Sequence, residues 1–224
     1  MIFQQTLNEE AGCLSYVIGC TQAGQAVIVD PARDRVDDYV ALARRKGLQI
    51  SDIVETHVHA DHVSGNQALA AKTGARIHIH PAANAAFAHD PVEHGRELRI
   101  GSVALQVMHT PGHTSACITL FEQDKGLLFA SDTLMPGGVM GGVFGSGSIA
   151  DYIQSLERLK GLDSKILLSG HGRLSDTPQE DVRVAIQRSH GLLSDTAQLF
   201  DALDARANFE PIMQSVRDLN KLND

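Results

Sequence analysis

The sequence predicts an α/β protein of two mixed sheets with helices on their outer faces. Three observations carry that expectation. Short β-rich runs alternate with amphipathic helical segments over the first third of the chain. A series of short strands separated by turns follows from residue 96. A helix, strand, helix order then closes the chain, and helices outside two sheets bury the apolar face of every element. At 224 residues the chain suits one layered domain over 1–224, with 177–224 as a C-terminal helical extension.

Each element has a local cause. "CLSYVIGC" (13–20) and "QAVIVD" (25–30) are rich in β-branched residues and flank the turn Gln22-Ala23-Gly24, so they predict a hairpin. Val36, Val40 and Ala43 fall on one stripe of a helix over 33–46 that Gly47 stops. "SDIVETH" (51–57) predicts a buried strand, 65–74 a short helix ended by Gly74, and "ARIHIH" (75–80) another strand. "RELRI", "VALQVMH", "ACITLF" and "GLLFAS" predict an antiparallel run. The segment 135–148 has six glycines in fourteen residues and predicts a mobile or tightly turned loop. A helix over 150–160 and the strand "KILLSG" (165–170) come next. Thr177-Pro178-Gln179-Glu180 carries start signals for a helix running to about 205, with a break near Gly191, and a last helix is expected over 209–219.

Composition narrows the function. Apolar residues at 43% and charged residues at 21% are ordinary globular values. A formal charge of −8 argues against a nucleic-acid groove, which needs a basic face. Three cysteines, Cys13, Cys20 and Cys117, do not make a disulfide framework. The start lacks a basic then apolar leader, and no apolar run reaches membrane-spanning length, so a cytoplasmic protein with no membrane partner is expected.

The chemistry concentrates in "ETHVHADHVSGNQ" (55–67), where His57, His59, Asp61 and His62 crowd six positions. Strand alternation is expected to aim His57 and His59 to one side, with Asp61 and His62 brought round by a turn. His113 in "HTPGHT", Asp132 in "FASDT" and His171 in "SGHG" each lie just past an apolar strand. A lone histidine at a strand end is usually structural. A cluster of three histidines and a carboxylate, with three more such residues at strand ends, predicts a metal site. Imidazole and carboxylate suit zinc, iron or manganese. Seven such residues are enough for two metals about 3.5 Å apart. His78, His80, His89, His94, His109 and His190 carry no such pattern and read as structural or surface residues. Cys117 reads as a small packing residue. Asp30, ending "AVIVD", either orients a ligand histidine or simply closes its strand.

"THVHADH", "TPGHT", the aspartate of "FASDT" and the histidine of "SGHG" resemble, in order and spacing, the motif set of the metallo-β-lactamase superfamily. The resemblance covers roughly residues 1–175. It implies a four-layer αβ/βα sandwich with metals at one edge between the sheets. It also implies His57, His59 and His113 on one metal, Asp61, His62 and His171 on the second, and Asp132 bridging them. Zinc is the first expectation for the pair, and manganese an alternative.

Such a centre generates a hydroxide near neutral pH. Asp61 is the expected catalytic residue, holding and orienting the proton of that nucleophile. The expected function is hydrolysis of a small thioester, ester or lactone, similar to glyoxalase II. The alternative is a persulfide dioxygenase, with one iron(II) at His57, His113 and Asp132. "GCLSYVIG", "VDPARD" and "TPGHTSACIT" are similar to that branch. Both branches usually carry a cysteine-glycine-arginine stretch after the aspartate that helps place a glutathione-bearing substrate. Here 135–148 stands in its place without an arginine, and Gly172-Arg173 follows His171. A third possibility is a binding module that keeps its metals without catalysis. The expected partners are a small-molecule substrate, with the glycine loop as a flap over it, and a second copy of the chain as a homodimer.

Overall fold

The computed structural model of the chain describes residues 1–205, apart from 11 and 144. Its first sheet has six strands: β1 (Ile2–Leu7), β2 (Leu14–Cys20), β3 (Gln25–Val29), β4 (Gln49–Val54), β5 (Arg76–Ile79) and β6 (Asp90–Pro91). They lie side by side in chain order. β1, β2 and β3 pair antiparallel, and β3 to β6 pair parallel. The second sheet has β7 (Glu97–Ile100), β8 (Val103–His109), β9 (Ile118–Glu122), β10 (Leu127–Ser131) and β11 (Ile166–Ser169). Its order is β11-β10-β9-β8-β7, with only β10 and β11 parallel.

The helices are α1 (Val36–Arg45), α2 (Asn66–Thr73), α3 (Ile149–Lys160) and α4 (Pro178–Ala205). Three clusters of buried side chains define the layers. Leu14, Tyr16, Ile18, Val27 and Val29 of the first sheet meet Leu105, Val107, Ile118, Leu120 and Phe129 of the second. The alternate residues Val17, Ala26 and Ile28 point the other way, onto Val36, Tyr39 and Leu42 of α1 and Leu69 of α2. Met108, Phe121 and Leu128 likewise face Tyr152, Leu156 and Leu159 of α3 and Val182 and Ala185 of α4. A strand with period-two side chains buried on both faces is the signature of a sheet covered on both sides. The αβ/βα sandwich follows from these three interfaces.

Several boundaries differ from the sequence-based expectation. β1 and β6 were not anticipated: "IFQQTL" has no clean alternation, and two residues are too few to show one. β4 ends at Val54 rather than at residue 57. β9 begins at Ile118, because Ala116 and Cys117 belong to the preceding turn. α4 passes Gly191 without a break. The chain divides into two compact units, Met1–Ile186 and the residues from Gln187 on. The sandwich unit therefore keeps the first turns of α4. The helix expected over 209–219 lies outside the described residues.

Candidate metal centre

The ends of β3, β4, β8, β10 and β11 converge at one edge of the sandwich, and the loops leaving them carry all seven expected ligand residues. His57 and His59 sit in the loop beyond β4 rather than on a strand. Their rings are nevertheless 4.0 Å apart, and the His59 and His62 rings 4.3 Å. Hydrogen bonds to the Thr56 backbone set this loop in place of strand alternation: Thr56 N donates to the Asp30 side chain Oδ1 at 2.7 Å, and Ile118 N donates to Thr56 O at 2.8 Å.

Asp132 is the hub. Its Oδ2 lies 3.8 Å from Nε2 of both His57 and His113, and its Oδ1 lies 3.6 Å from Nε2 of His171. Asp61 makes the second node: its oxygens are 3.5 Å from His171 Nε2, 3.3 Å from His62 Nδ1 and 3.8 Å from His59 Nδ1. The fold thus links every expected ligand residue to one of two carboxylates.

The surroundings decide which ring nitrogen faces inward. Thr56 Oγ1 gives its proton to Asp30 Oδ2 at 2.6 Å, so it accepts from His57 Nδ1 at 3.0 Å, and His57 Nε2 carries the lone pair. His113 Nδ1 donates to Gly142 O at 2.5 Å, and His171 Nδ1 donates to Gly12 O at 3.1 Å. For both, Nε2 is left facing Asp132 as the nitrogen that could hold a cation. His59 is turned the other way: Nε2 faces Asp30 at 3.2 Å and Glu55 at 3.1 Å, which leaves Nδ1 toward Asp61. Acceptors behind each ring fix its tautomer and raise its basicity.

The charges follow. Burial holds the His57 imidazolium down to about 3, with the neighbouring His59 adding to the effect. Burial also opposes charge on His59, but the Asp30 and Glu55 carboxylates overcome it and raise its pKa well above the usual value. The hydrogen bond to Asp132 raises His171 to about 9. Burial disfavours ionised Asp132, yet His171, His57 and His113 hold it below the usual carboxylate range. Asp61 is likewise held low against burial, chiefly by His62.

Two nitrogens test whether these residues fit a metal. His57 Nε2 and His62 Nε2 are buried and have no hydrogen-bond partner among the described residues. Each such group costs about 1–3 kcal/mol unless something satisfies it. A cation does so. Among the described residues, His57, His113 and Asp132 form one group compact enough to share an ion, and Asp30 with His57 and His59 form another.

Backbone strain marks the same edge. Asp30, just past β3, and Ser131, ending β10, have φ of 51° and 45°. Such non-glycine residues concentrate at functional sites. They are joined, Ser131 Oγ donating to Asp30 Oδ2 at 3.0 Å. Asp30 thus takes the orienting role, holding the loops of β4 and β10 together. Glu55, Ser131 and Tyr152 were missed from sequence. Glu55 was visible as a carboxylate four positions before His59. Tyr152 Oη, donating to Asp132 O at 2.8 Å, had no local signal.

The glycine segment is not the free flap expected over its first half. Gly141 N donates to Asp132 O at 3.0 Å, and a Cβ on Gly141 would stand 2.7 Å from both that oxygen and His113 Nδ1. These glycines let the backbone back onto the ligands. A Cβ on Gly170 would collide with Asp132 Oδ1. Cys117 is buried against Thr114 with its thiol pushed up to about 11 by burial, as suits a packing residue. His78 pairs with Asp52 at 2.8 Å, and His80 stacks on His109, both away from the ligand cluster. Arg173 is exposed.

A shallow cavity of about 220 Å³ opens beside the cluster. His57, His59 and His62 form one wall, and Val58, Ile79 and Phe87 line the rest with small alanines.

Fold and site together define an αβ/βα sandwich with a cluster of candidate metal ligands on loops at one sheet edge. Residues 9–171 match the family model of the metallo-β-lactamase superfamily, and the chain belongs to that superfamily. A hydroxyacylglutathione hydrolase of Polaromonas sp. is 34% identical over 165 residues, 70% of this chain and 61% of the relative. The human mitochondrial persulfide dioxygenase ETHE1 is 29% identical over 135 residues, 60% of this chain and 53% of the relative. The chain spans about half to three fifths of the length of the curated relatives it matches. The crystal structure of ETHE1 from Myxococcus xanthus superposes with a TM-score of 0.75 at 30% identity, covering 83% of this chain and 85% of that one. Among the described residues, no helix is long and apolar enough to cross a membrane.

Proposed function

We propose that the chain is a metal-dependent hydrolase of a small thioester, ester or lactone. The carrying observation is that Asp61, His62 and His171 stand beside the His57–His113–Asp132 group, with His171 within 3.6 Å of Asp132 and 3.5 Å of Asp61. A single iron needs only two histidines and one carboxylate. The remaining side chains, carrying a buried orphan nitrogen on His62, suit a second cation. His57, His59 and His113 would hold one metal, Asp61, His62 and His171 the other, with Asp132 shared.

Divalent cations held there would polarise a carbonyl and lower the pKa of a water molecule. The chain's own residues supply the rest. Asp61, ionised across the physiological range, accepts a hydrogen bond from the attacking water and fixes its orientation. Asp30, Thr56 and Gly142 keep the imidazoles in the tautomers that present ligand nitrogens inward. Val58, Ile79 and Phe87 hold an apolar part of the substrate and keep bulk water from that side.

A second function has a specific observation in its favour. His57, His113 and Asp132 alone form a compact two-histidine, one-carboxylate group, and the ETHE1 of Myxococcus xanthus is similar over most of both chains. That would make the protein an iron(II) persulfide dioxygenase. Elemental analysis of protein purified without added metal, with parallel assays, separates them. About two zinc or manganese ions per chain and release of thiol from acyl thioesters support the hydrolase. One iron per chain with oxygen uptake on glutathione persulfide refutes it.

A further inference from the structure

We infer that Cys13 is a ligand of the second cation, beside Asp61 and His62. The assignment rests on the dinuclear centre proposed above. Cys13 Sγ, an Asp61 carboxylate oxygen and a His62 ring nitrogen all lie within 4.8 Å of one another. No sequence motif placed the thiol there. It comes from the loop before β2, far along the chain from residues 61 and 62.

The second observation is on His62. Its side chain is only 4% exposed, and its Nε2 has no hydrogen-bond partner among the described residues. Buried polar atoms are otherwise paired almost without exception. A cation shared with Cys13 and Asp61 would give this buried ring the partner it lacks.

The backbone delivers the sulfur. Asn8 N donates to Cys13 O at 2.9 Å, and Leu14 N donates to Gly170 O at 2.7 Å. Cys13 pairs with His171 across an antiparallel bridge, and Gly12 O takes the proton of His171 Nδ1. One short segment therefore positions a thiol and orients a ligand histidine. Cys13 is 4% exposed and unpaired as a disulfide. Cys117, also buried, has its sulfur against the Thr114 backbone N–H at 3.3 Å instead.

The two metal positions then differ in chemistry. His57, His59 and His113 offer nitrogen alone. Asp61, His62 and Cys13 offer oxygen, nitrogen and sulfur, a softer set that favours zinc or cobalt over manganese. On binding, the thiol proton passes to solvent and the thiolate electron pair bonds to the metal.

The test is titration of the chelator-stripped full chain with cobalt(II), followed by absorption spectroscopy. The second equivalent should bring an intense near-ultraviolet sulfur-to-cobalt charge-transfer band. Cys13→Ser should abolish the band and weaken the second equivalent about 10–100-fold, while Cys117→Ser should retain it. Two bound equivalents without the band, or a band that survives in Cys13→Ser, overturn the assignment and leave the dinuclear centre standing. Binding of one equivalent only overturns both. The wild-type spectrum decides the matter even where a variant fails to fold.

Discussion

Asp30 offers the sharpest test of how the fold prepares the site. Its carboxylate is buried and accepts from Thr56 N, Thr56 Oγ1, Ser131 Oγ and His59 Nε2. Replacing it by alanine strands those donors unequally. His59 keeps Glu55 at 3.1 Å, and Thr56 Oγ1 regains an acceptor at His57 Nδ1, 3.0 Å away, once that ring moves its proton to Nε2. Thr56 N and Ser131 Oγ are left. At about 1–3 kcal/mol for each stranded buried group, the loss is about 2–6 kcal/mol, and breaking a buried charge pair costs about 3–5 kcal/mol. Asp30→Ala should therefore destabilise the protein by about 4 kcal/mol, read as the shift in a urea unfolding curve. Asp30→Asn tolerates the same positive φ and isolates the charge. It should weaken metal binding about 10–100-fold, measured against a competing chelator. Asp30→Asn binding metal within twofold of wild type would show that Asp30 does not govern His59, and the account of tautomer control would fail.

Four further outcomes follow from the geometry. His113→Ala should leave far less than stoichiometric metal by elemental analysis and lower turnover at least a hundredfold, about the upper range for weaker, outer positions. Gly141→Ala, with its Cβ 2.7 Å from Asp132 O and His113 Nδ1, should lower both stability and metal affinity. Gly145→Ala, which meets nothing within 4 Å, should stay within about 0.5 kcal/mol of wild type in the same unfolding assay. In chelator-stripped protein, His171 is raised to about 9 by Asp132, above an unfolded value of about 6.5. Its contribution is complete below the unfolded value and is lost as pH rises through the folded one. Unfolding midpoints should fall across that window, and His171→Gln should flatten the fall.

The sequence by itself determined the layers and marked the candidate ligand residues. His57, His59, Asp61 and His62 were legible because a dense run of ligand residues has no structural use. Val27, Val29, Ala26 and Ile28 were legible because a strand buried on both faces must be apolar at every position. His113, Asp132 and His171 were legible from their place just past apolar strands, though nothing local says that three strand ends share one edge.

Only the tertiary structure decided what stands behind the ligands. Asp30, Glu55, Ser131, Tyr152, Gly142 and Gly12 act on the histidines and Asp132 through hydrogen bonds, most of them across long stretches of chain. Single acceptors and backbone carbonyls leave no periodicity and no motif. The direction of each imidazole is a contest between nearby acceptors, settled by distances of a few tenths of an ångström. Cys13 is the extreme case: one sulfur at the start of a strand, given meaning only when packing of the two sheets sets it against Asp61 and His62.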